Sequence, residues 1–365
     1  MVNKKNDQYN PDYAVPPGET LLEIIESRGM SQTQLAERTH RPKKTISEII
    51  NGKTAITSET AIQFEHVLDV PAKFWMNLEN NYRGTLARLE EQERLVAQQE
   101  WLKTVPVKVM IEKGWVKKRS EVVEQFKEVL IFFGVASVEG WKGYWGNLLK
   151  SAAFRQSKAF ISDSSAVATW LRQGEREAQN IQCDEFSSTK FKKVLSDIRL
   201  LIGQSPAVFV PAIIKLAASA GVAVVFVSEV PKCRVHGATR WLNSNKALIQ
   251  LSLRYRTDDH LWFTFFHESG HILKHGRKAI FLEGEFDNEQ AEAEADAFAS
   301  DFLIPPKEYA RFCLVGDFCQ DSVRMFSKRL GIAPGIVVGR LQHGKVIPYS
   351  HLNGLKRQFT WSNKT

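Results

Sequence analysis

His267-Glu268-Ser269-Gly270-His271 puts two imidazoles and a carboxylate within one helical turn, because positions i and i+4 share a helix face. Imidazoles so placed can converge on one Zn²⁺, and Glu268 then points toward the water that such an ion activates. The pentapeptide sits inside the apolar run Leu261–Leu273, so a buried helix with two hydrogen-bonded histidines would read the same way. A third ligand separates the two readings. Glu292 follows His271 by 21 positions, in the Ala-rich run Asn288–Ala299, which leaves room for one helix to end and a second to return. Glu294 lies in the same run as an alternative. Asp296 favours Glu292, because it stands one turn further on and can accept the distal N–H of a ligand histidine. Two histidines and one glutamate leave the fourth zinc position open, which is a catalytic arrangement.

The chemistry expected of such a set is metal-assisted peptide hydrolysis. The ion polarises the scissile carbonyl and lowers the pKa of water to about 7, while Glu268 carries a proton from that water to the departing amine. Zinc is the expectation from two imidazoles and a carboxylate, although other divalent ions bind similar sets. His260 and His275 share the same helix face in part and read as packing or supporting histidines. His236, Tyr255, His343 and His351 are candidates for stabilising the oxyanion, and nothing in the sequence ranks them.

His267–His271, then Glu292-x-Glu294-Ala295-Asp296-x-Phe298-Ala299, then Phe302-Leu303-Ile304-Pro305 resemble, in that order, the ImmA/IrrE family of zinc metallo-endopeptidases. The resemblance covers about the last 165 residues. It implies cleavage of a protein substrate, with DNA-bound repressors as the class.

The elements that must position these residues begin near residue 201. Phe209–Gly221 reads as a helix closed by glycine. Val222–Val227, Gly237–Leu242 and Ala247–Arg254 read as three strands of a small antiparallel sheet, with a turn at Asn243-Ser244-Asn245. An edge strand of such a sheet can hold an extended peptide, and Ala247–Leu253 is the expected one. The tail Met325–Leu341 has a helix-turn-helix cadence but lacks a basic groove helix, and is expected to pack on the catalytic core.

A second constellation lies at the front. Pro17–Gly29 reads as an amphipathic helix, Ser31 caps a short helix at Gln32–Arg38, and Pro42–Ile50 gives another that stops at Asn51-Gly52. Leu35, Ala36, Ile46 and Ile49 face inward, as a helix-turn-helix requires. Between Arg38 and Lys53 the charges are Arg38, Arg41, Lys43, Lys44 and Lys53 against Glu48. Gln32, Arg41, Lys43, Lys44, Thr45 and Ser47 are the expected contacts to double-stranded DNA. Pro17-Gly18-Glu19, Ser31-Gln32, Leu35-Ala36, Thr45–Lys53 and Phe74-Trp75-Met76-Asn77-Leu78 resemble the HigA-type antitoxins of the Xre repressor class. That resemblance implies operator DNA, a homodimer and a toxin partner. The sequence departs from it at Thr39-His40-Arg41, where a glycine is usual, so His40 must tolerate the backbone of the turn.

The frame is a chain of 365 residues, 43% hydrophobic, with a formal charge of +8. This length suggests several cores. Four scattered cysteines without a C-x-x-C pair read as reduced thiols, and no apolar run is long enough for a membrane span, so a cytoplasmic protein is expected. The expected division is a flexible tail at 1–16, a helix-turn-helix domain at 17–83, a helical middle at 84–200 and a peptidase domain at 201–365. In the middle, Trp141, Trp145, Phe154 and Trp170 are packing surface. The fold class is an α-rich multidomain chain: an all-α helix-turn-helix domain, a helical middle region and an α+β zincin-like domain. The function expected is a DNA-binding, antitoxin-like regulator fused to a zinc endopeptidase that cleaves a repressor or related protein. The alternative is a non-catalytic repressor whose metal domain senses or merely holds the fold.

Overall fold

The computed structural model describes residues 13–149, 163–276, 281–282 and 289–361. They belong to two compact units, Met1–Gln99 and Glu100–Thr365. Of the expected tail, residues 1–12 lie outside the described residues, as does Phe154. No helix among the described residues is long and apolar enough to cross a membrane. The four cysteines are free thiols.

The first unit is all helical: α1 (Pro17–Ser27), α2 (Gln32–Arg38), α3 (Lys43–Ile50), α4 (Ser58–Leu68) and α5 (Ala72–Ala97). Leu21, Ile25, Leu35, Ile46, Ile49, Phe64, Leu68 and Trp75 form its core. Ser31 caps α2 reciprocally: its hydroxyl accepts from Gln34 N at 3.2 Å while Ser31 N donates to Gln34 Oε1 at 2.9 Å. The domain boundary expected at 83/84 falls inside α5. A single Gly84 in a run of good helix formers weakens a helix by about 1 kcal/mol without ending it.

The second unit is built on a sheet of β1 (Val222–Phe226), β2 (Gly237–Asn243), β3 (Lys246–Leu251) and β4 (Phe281–Leu282), in the order β1-β3-β2-β4. β2 pairs antiparallel with β3 and with β4, but β1 runs parallel to β3. The sheet is therefore mixed, not antiparallel as expected. β3 lies in its interior, so both its edges are already hydrogen-bonded and it cannot be the strand that takes up a peptide. Residues 227–236 separate β1 from β2 and allow β3 to come between them; strand spacing alone does not reveal that order.

Both faces of the sheet are covered. Val222, Val224, Ala247 and Ile249 meet α8 (Ser188–Arg199), α9 (Pro206–Ala218) and the apolar side of α10 (Asp258–Lys274). Ala223, Val225, Ala238 and Leu248 meet α6 (Val122–Phe133) and α7 (Ser164–Gln179), with Trp145 and Trp170 fully buried between. Gln250 on β3 donates to Trp170 O at 2.7 Å, and Arg240 on β2 pairs with Glu175 at 3.1 Å. From residue 100 on, the helical middle thus covers both faces of this sheet, α6 and α7 on one and α8 on the other, and the boundary expected at 200/201 falls within the second unit. Burial on both faces erases the in/out alternation that would have announced a shared sheet.

After α10 come α11 (Glu289–Leu303), α12 (Pro306–Val315), α13 (Gln320–Leu330) and α14 (Pro334–His343). The last of these packs on α10, as the tail was expected to do.

Candidate metal centre

α10 begins after Thr257 with Asp258 and Asp259 in its first turn, where carboxylates suit the helix dipole. Trp262, Phe265 and Phe266 anchor it in the core, each 1% exposed or less, and burial of each contributes about 1.5–3 kcal/mol. The polar cluster is carried into this interior: His267 and His271 are 1% exposed and Glu268 is fully buried. Ser269, in the middle of the motif, satisfies its hydroxyl by donating to Phe265 O at 2.8 Å.

Two glycines set the distances around the cluster. A Cβ on Gly270 would lie 3.2 Å from Ala295 Cα, so this position lets α10 and α11 approach closely enough for side chains to meet. A Cβ on Gly237 would lie 2.5 Å from Glu268 Oε1 and 2.5 Å from Thr264 Cγ2, so the start of β2 rests directly on the motif's carboxylate. Thr239 on the same strand donates to Glu268 O at 3.1 Å.

Glu292 on α11 stands 3.1 Å from His267 Nε2 and 3.4 Å from His271 Nε2, and the two Nε2 atoms are 2.9 Å apart. His267, His271 and Glu292 form a group whose ligand atoms all lie within 4.8 Å of one another. Each ring is held from behind. His267 Nδ1 meets Asp296 Oδ1 at 2.8 Å; His271 Nδ1 meets His275 Nδ1 at 2.9 Å, and His275 Nε2 lies 3.4 Å from Glu294 Oε2. With protons on the outer nitrogens, both inner Nε2 atoms present lone pairs to a carboxylate. Burial drives the His271 pKa down despite its bond to Glu292, which favours that neutral form. Burial alone would raise Glu292, but its bonds to His267 and His271 outweigh it and hold the carboxyl at about 2. Those bonds need a proton on Nε2; with the protons on the outer nitrogens instead, the three inner acceptors repel unless a cation takes that place among them. In a tetrahedral zinc site with bonds of about 2.1 Å the ligand atoms stand roughly 3.4 Å apart, so the donor set fits that ion after slight widening.

The sequence alternative to Glu292 is displaced: Glu294 pairs with His275, one shell further out. His260 is stacked on Tyr255, with ring centroids 4.2 Å apart, and belongs to no metal-ligand group among the described residues.

Beside the cluster opens a cavity of about 360 Å³. Its walls include His236, Tyr255, Phe263, Ile336, Arg340 and His343. Of the four oxyanion candidates, His236, Tyr255 and His343 reach it; His351 does not line it, and its carbonyl accepts from Gln342 at 2.8 Å. Sequence reading named His343 of α14 but missed Ile336, Gly339 and Arg340, which the same helix brings to the wall. A signal was available: Gly335 and Gly339, four apart, share the helix face that presses on Asp258 and Asp259.

In the first unit, α2 and α3 form two short helices joined by a turn in which His40 has φ 50°, the left-handed conformation its position required. Lys43 and Lys44 are exposed at the start of α3, with Thr45 and Ser47 half-buried beside them and Gln32 half-buried at the start of α2. Arg41 differs: it donates to Gln63 at 2.5 Å and pairs with Glu59 at 3.3 Å, so its guanidinium is engaged within the domain.

Residues 21–75 match the family described as helix-turn-helix, and residues 236–315 match the family described as the IrrE N-terminal-like domain, a peptidase family. Over 96 residues the chain is 32% identical to an uncharacterised HTH-type transcriptional regulator, YbaQ, of Escherichia coli K12, a stretch covering 23% of this chain and 85% of that protein. Among solved structures it is similar to an addiction module antidote protein of a HigA family from Coxiella burnetii, with 28% identity, 23% of this chain and 92% of that one covered, and a TM-score of 0.21. It is likewise similar to the Pseudomonas aeruginosa antitoxin HigA, solved with the higBA promoter, with 26% identity, coverage of 22% and 90%, and a TM-score of 0.22.

Proposed function

Because the chain belongs, through its N-terminal helix-turn-helix, to the HTH-type transcriptional regulators and also carries an IrrE N-terminal-like domain, we propose that it is a cytoplasmic, operator-binding regulator with a zinc-dependent endopeptidase of its own. The proposed substrate is a repressor or a related regulatory protein. His267, His271 and Glu292 are the proposed ligands, Asp296 the residue that orients His267, and Glu268 the base. The observation that carries this reading is the convergence of three lone-pair donors from two helices, beside a buried carboxylate and an open cavity.

When bound, the ion supplies Lewis acidity toward a carbonyl oxygen and makes water acidic enough to react near neutral pH. The chain's own residues do the rest. Asp296 and His275 hold the imidazoles in the tautomer that presents Nε2. The cavity seats the peptide, with Phe263 and Ile336 excluding water from one wall. Glu268 accepts a proton from the attacking water as its oxygen adds to the carbonyl carbon and the C=O π pair moves onto oxygen. Glu268 then returns the proton to the amide nitrogen as the oxygen's electron pair re-forms the C=O bond and the C–N bond breaks, releasing a carboxylic acid and an amine, between which the remaining water proton passes to leave a carboxylate and an ammonium.

At the other end, α3 is the proposed groove helix, with Lys43, Lys44, Thr45 and Ser47 toward DNA, Gln32 on the phosphates, and a homodimer spanning two half-sites. Arg41 is the weakest member of that set, since Glu59 and Gln63 already hold it. A toxin partner is proposed on the likeness to HigA proteins.

The deciding experiment combines metal analysis of the purified chain with incubation against Xre-type repressors. Glu268→Gln is expected to keep one zinc and lose cleavage, and His271→Ala to lose both. Equal cleavage by the Glu268→Gln protein would overturn the enzyme; a bound metal with no cleavage would favour a repressor with a sensing domain.

A further inference from the structure

Hydrolysis places negative charge on the attacked carbonyl oxygen, and a buried site gains most from a fixed donor already aimed at that oxygen. Arg340, a strong donor on the cavity wall, is committed to the carbonyls of Ser300 and Ile304 and to the carboxylate of Asp301. Also lining the cavity, His236 Nε2 and Tyr255 Oη are 3.1 Å apart, and Tyr255 lies flat against His260 with the rings tilted by only 23°. Packed against two imidazoles, the phenol is held in place, yet Tyr255 remains 49% exposed and lines the cavity. The next residue after His236 is Gly237, whose Cα rests on Glu268. His236 and Tyr255 line the same cavity as the ligands His267 and Glu292.

Resting on the peptidase reading, we propose that Tyr255 is a catalytic residue whose O–H donates a hydrogen bond to the carbonyl oxygen as it becomes an oxyanion, and that His236 is its positioning residue. In the tautomer this requires, His236 Nε2–H donates to Tyr255 Oη, leaving the phenolic proton for the substrate. No proton is transferred to the oxyanion; the phenol stabilises the charge while Glu268 handles the proton. Burial, with Arg254 and His260 nearby, pushes His236 down to about 4, so near neutral pH the ring is uncharged and carries a single proton for this bond.

The test uses the full chain loaded with zinc and a phosphinic dipeptide analogue with leucine-type side chains, whose tetrahedral anion mimics the attacked carbonyl. Titration calorimetry is expected to show Tyr255→Phe binding the analogue about 100-fold more weakly than the parent, with zinc still at one per chain. His236→Leu should weaken it comparably, and His236→Gln should restore most of the loss, because the amide can donate from near the Nε2 position. A structural role would not give that rescue. Equal affinity in Tyr255→Phe and the parent overturns the assignment, as does a zinc-loaded parent that ignores the analogue. In either case zinc content and the Glu268→Gln test still stand for the peptidase itself. A parent that binds no zinc overturns both.

Discussion

His267 Nδ1 lies 2.8 Å from Asp296 Oδ1, so the ring of one helix is fixed by a carboxylate of the next. Asp296 follows Glu292 by one turn on α11, and the two carboxylates grip opposite edges of the same imidazole. Removing Asp296 should free the ring while leaving all three ligand atoms in the chain. Asp296→Ala is expected to bind zinc about 10–100-fold more weakly, read by competition with a chromophoric chelator, with far-ultraviolet circular dichroism unchanged. Parental affinity in that variant would show that α11 does not orient the ligand.

The close approach of α10 and α11 at Gly270 leaves no room for a branched side chain, since Ala295 Cα and the Phe298 ring are each 3.2 Å from where a Cβ would stand. Gly270→Val should destabilise the second unit by about 1–3 kcal/mol through overpacking, measured by urea unfolding. It should also weaken zinc binding, because pushing the helices apart moves Glu292 from the imidazoles. Unaltered stability and zinc affinity together would contradict the contact.

Asp258 is buried at the start of α10, and burial raises its carboxyl to about 6 from 3.8, helped by Asp259 and opposed by the backbone N–H groups of Arg357 and Asp259. A carboxyl raised on folding contributes stability that is present below about pH 4 and lost as pH rises through about 6. Complete ionisation therefore costs about 3 kcal/mol at neutral pH. Asp258→Asn should lack this loss: relative to the parent, the variant gains stability between pH 4 and 7. Unfolding midpoints at the two pH values test it, and a constant difference between the proteins would refute it.

For the first unit, Lys43→Ala with Lys44→Ala should weaken binding to duplex DNA and flatten its salt dependence. Two lost phosphate contacts lower the slope of log affinity against log salt by about 1.8. Filter binding across a salt series measures this, and a parental slope would remove α3 from the DNA surface. Arg41→Ala should change the slope less, because Glu59 and Gln63 hold its side chain.

The sequence by itself determined what depends on short spacing. His267 and His271 share a face because a helix repeats every 3.6 residues, and Glu292 and Asp296 fall one turn apart for the same reason. Ser31 with Gln34 marks the start of α2, and the left-handed turn at His40 follows from the fit of two short helices around it. Such features are local, so a few neighbouring residues suffice to specify them.

Only the tertiary structure decided which distant segments meet. The parallel pairing of β1 with β3 and the interior place of β3 depend on residues brought together across long loops, where many strand orders satisfy the same apolar pattern. Most of the helical middle became part of the second unit, on both faces of the sheet, because strands buried on both faces carry no record of which helix covers them. Gly237 against Glu268 and Tyr255 beside His236 likewise depend on packing, which acts through contact and leaves no periodic trace in the chain.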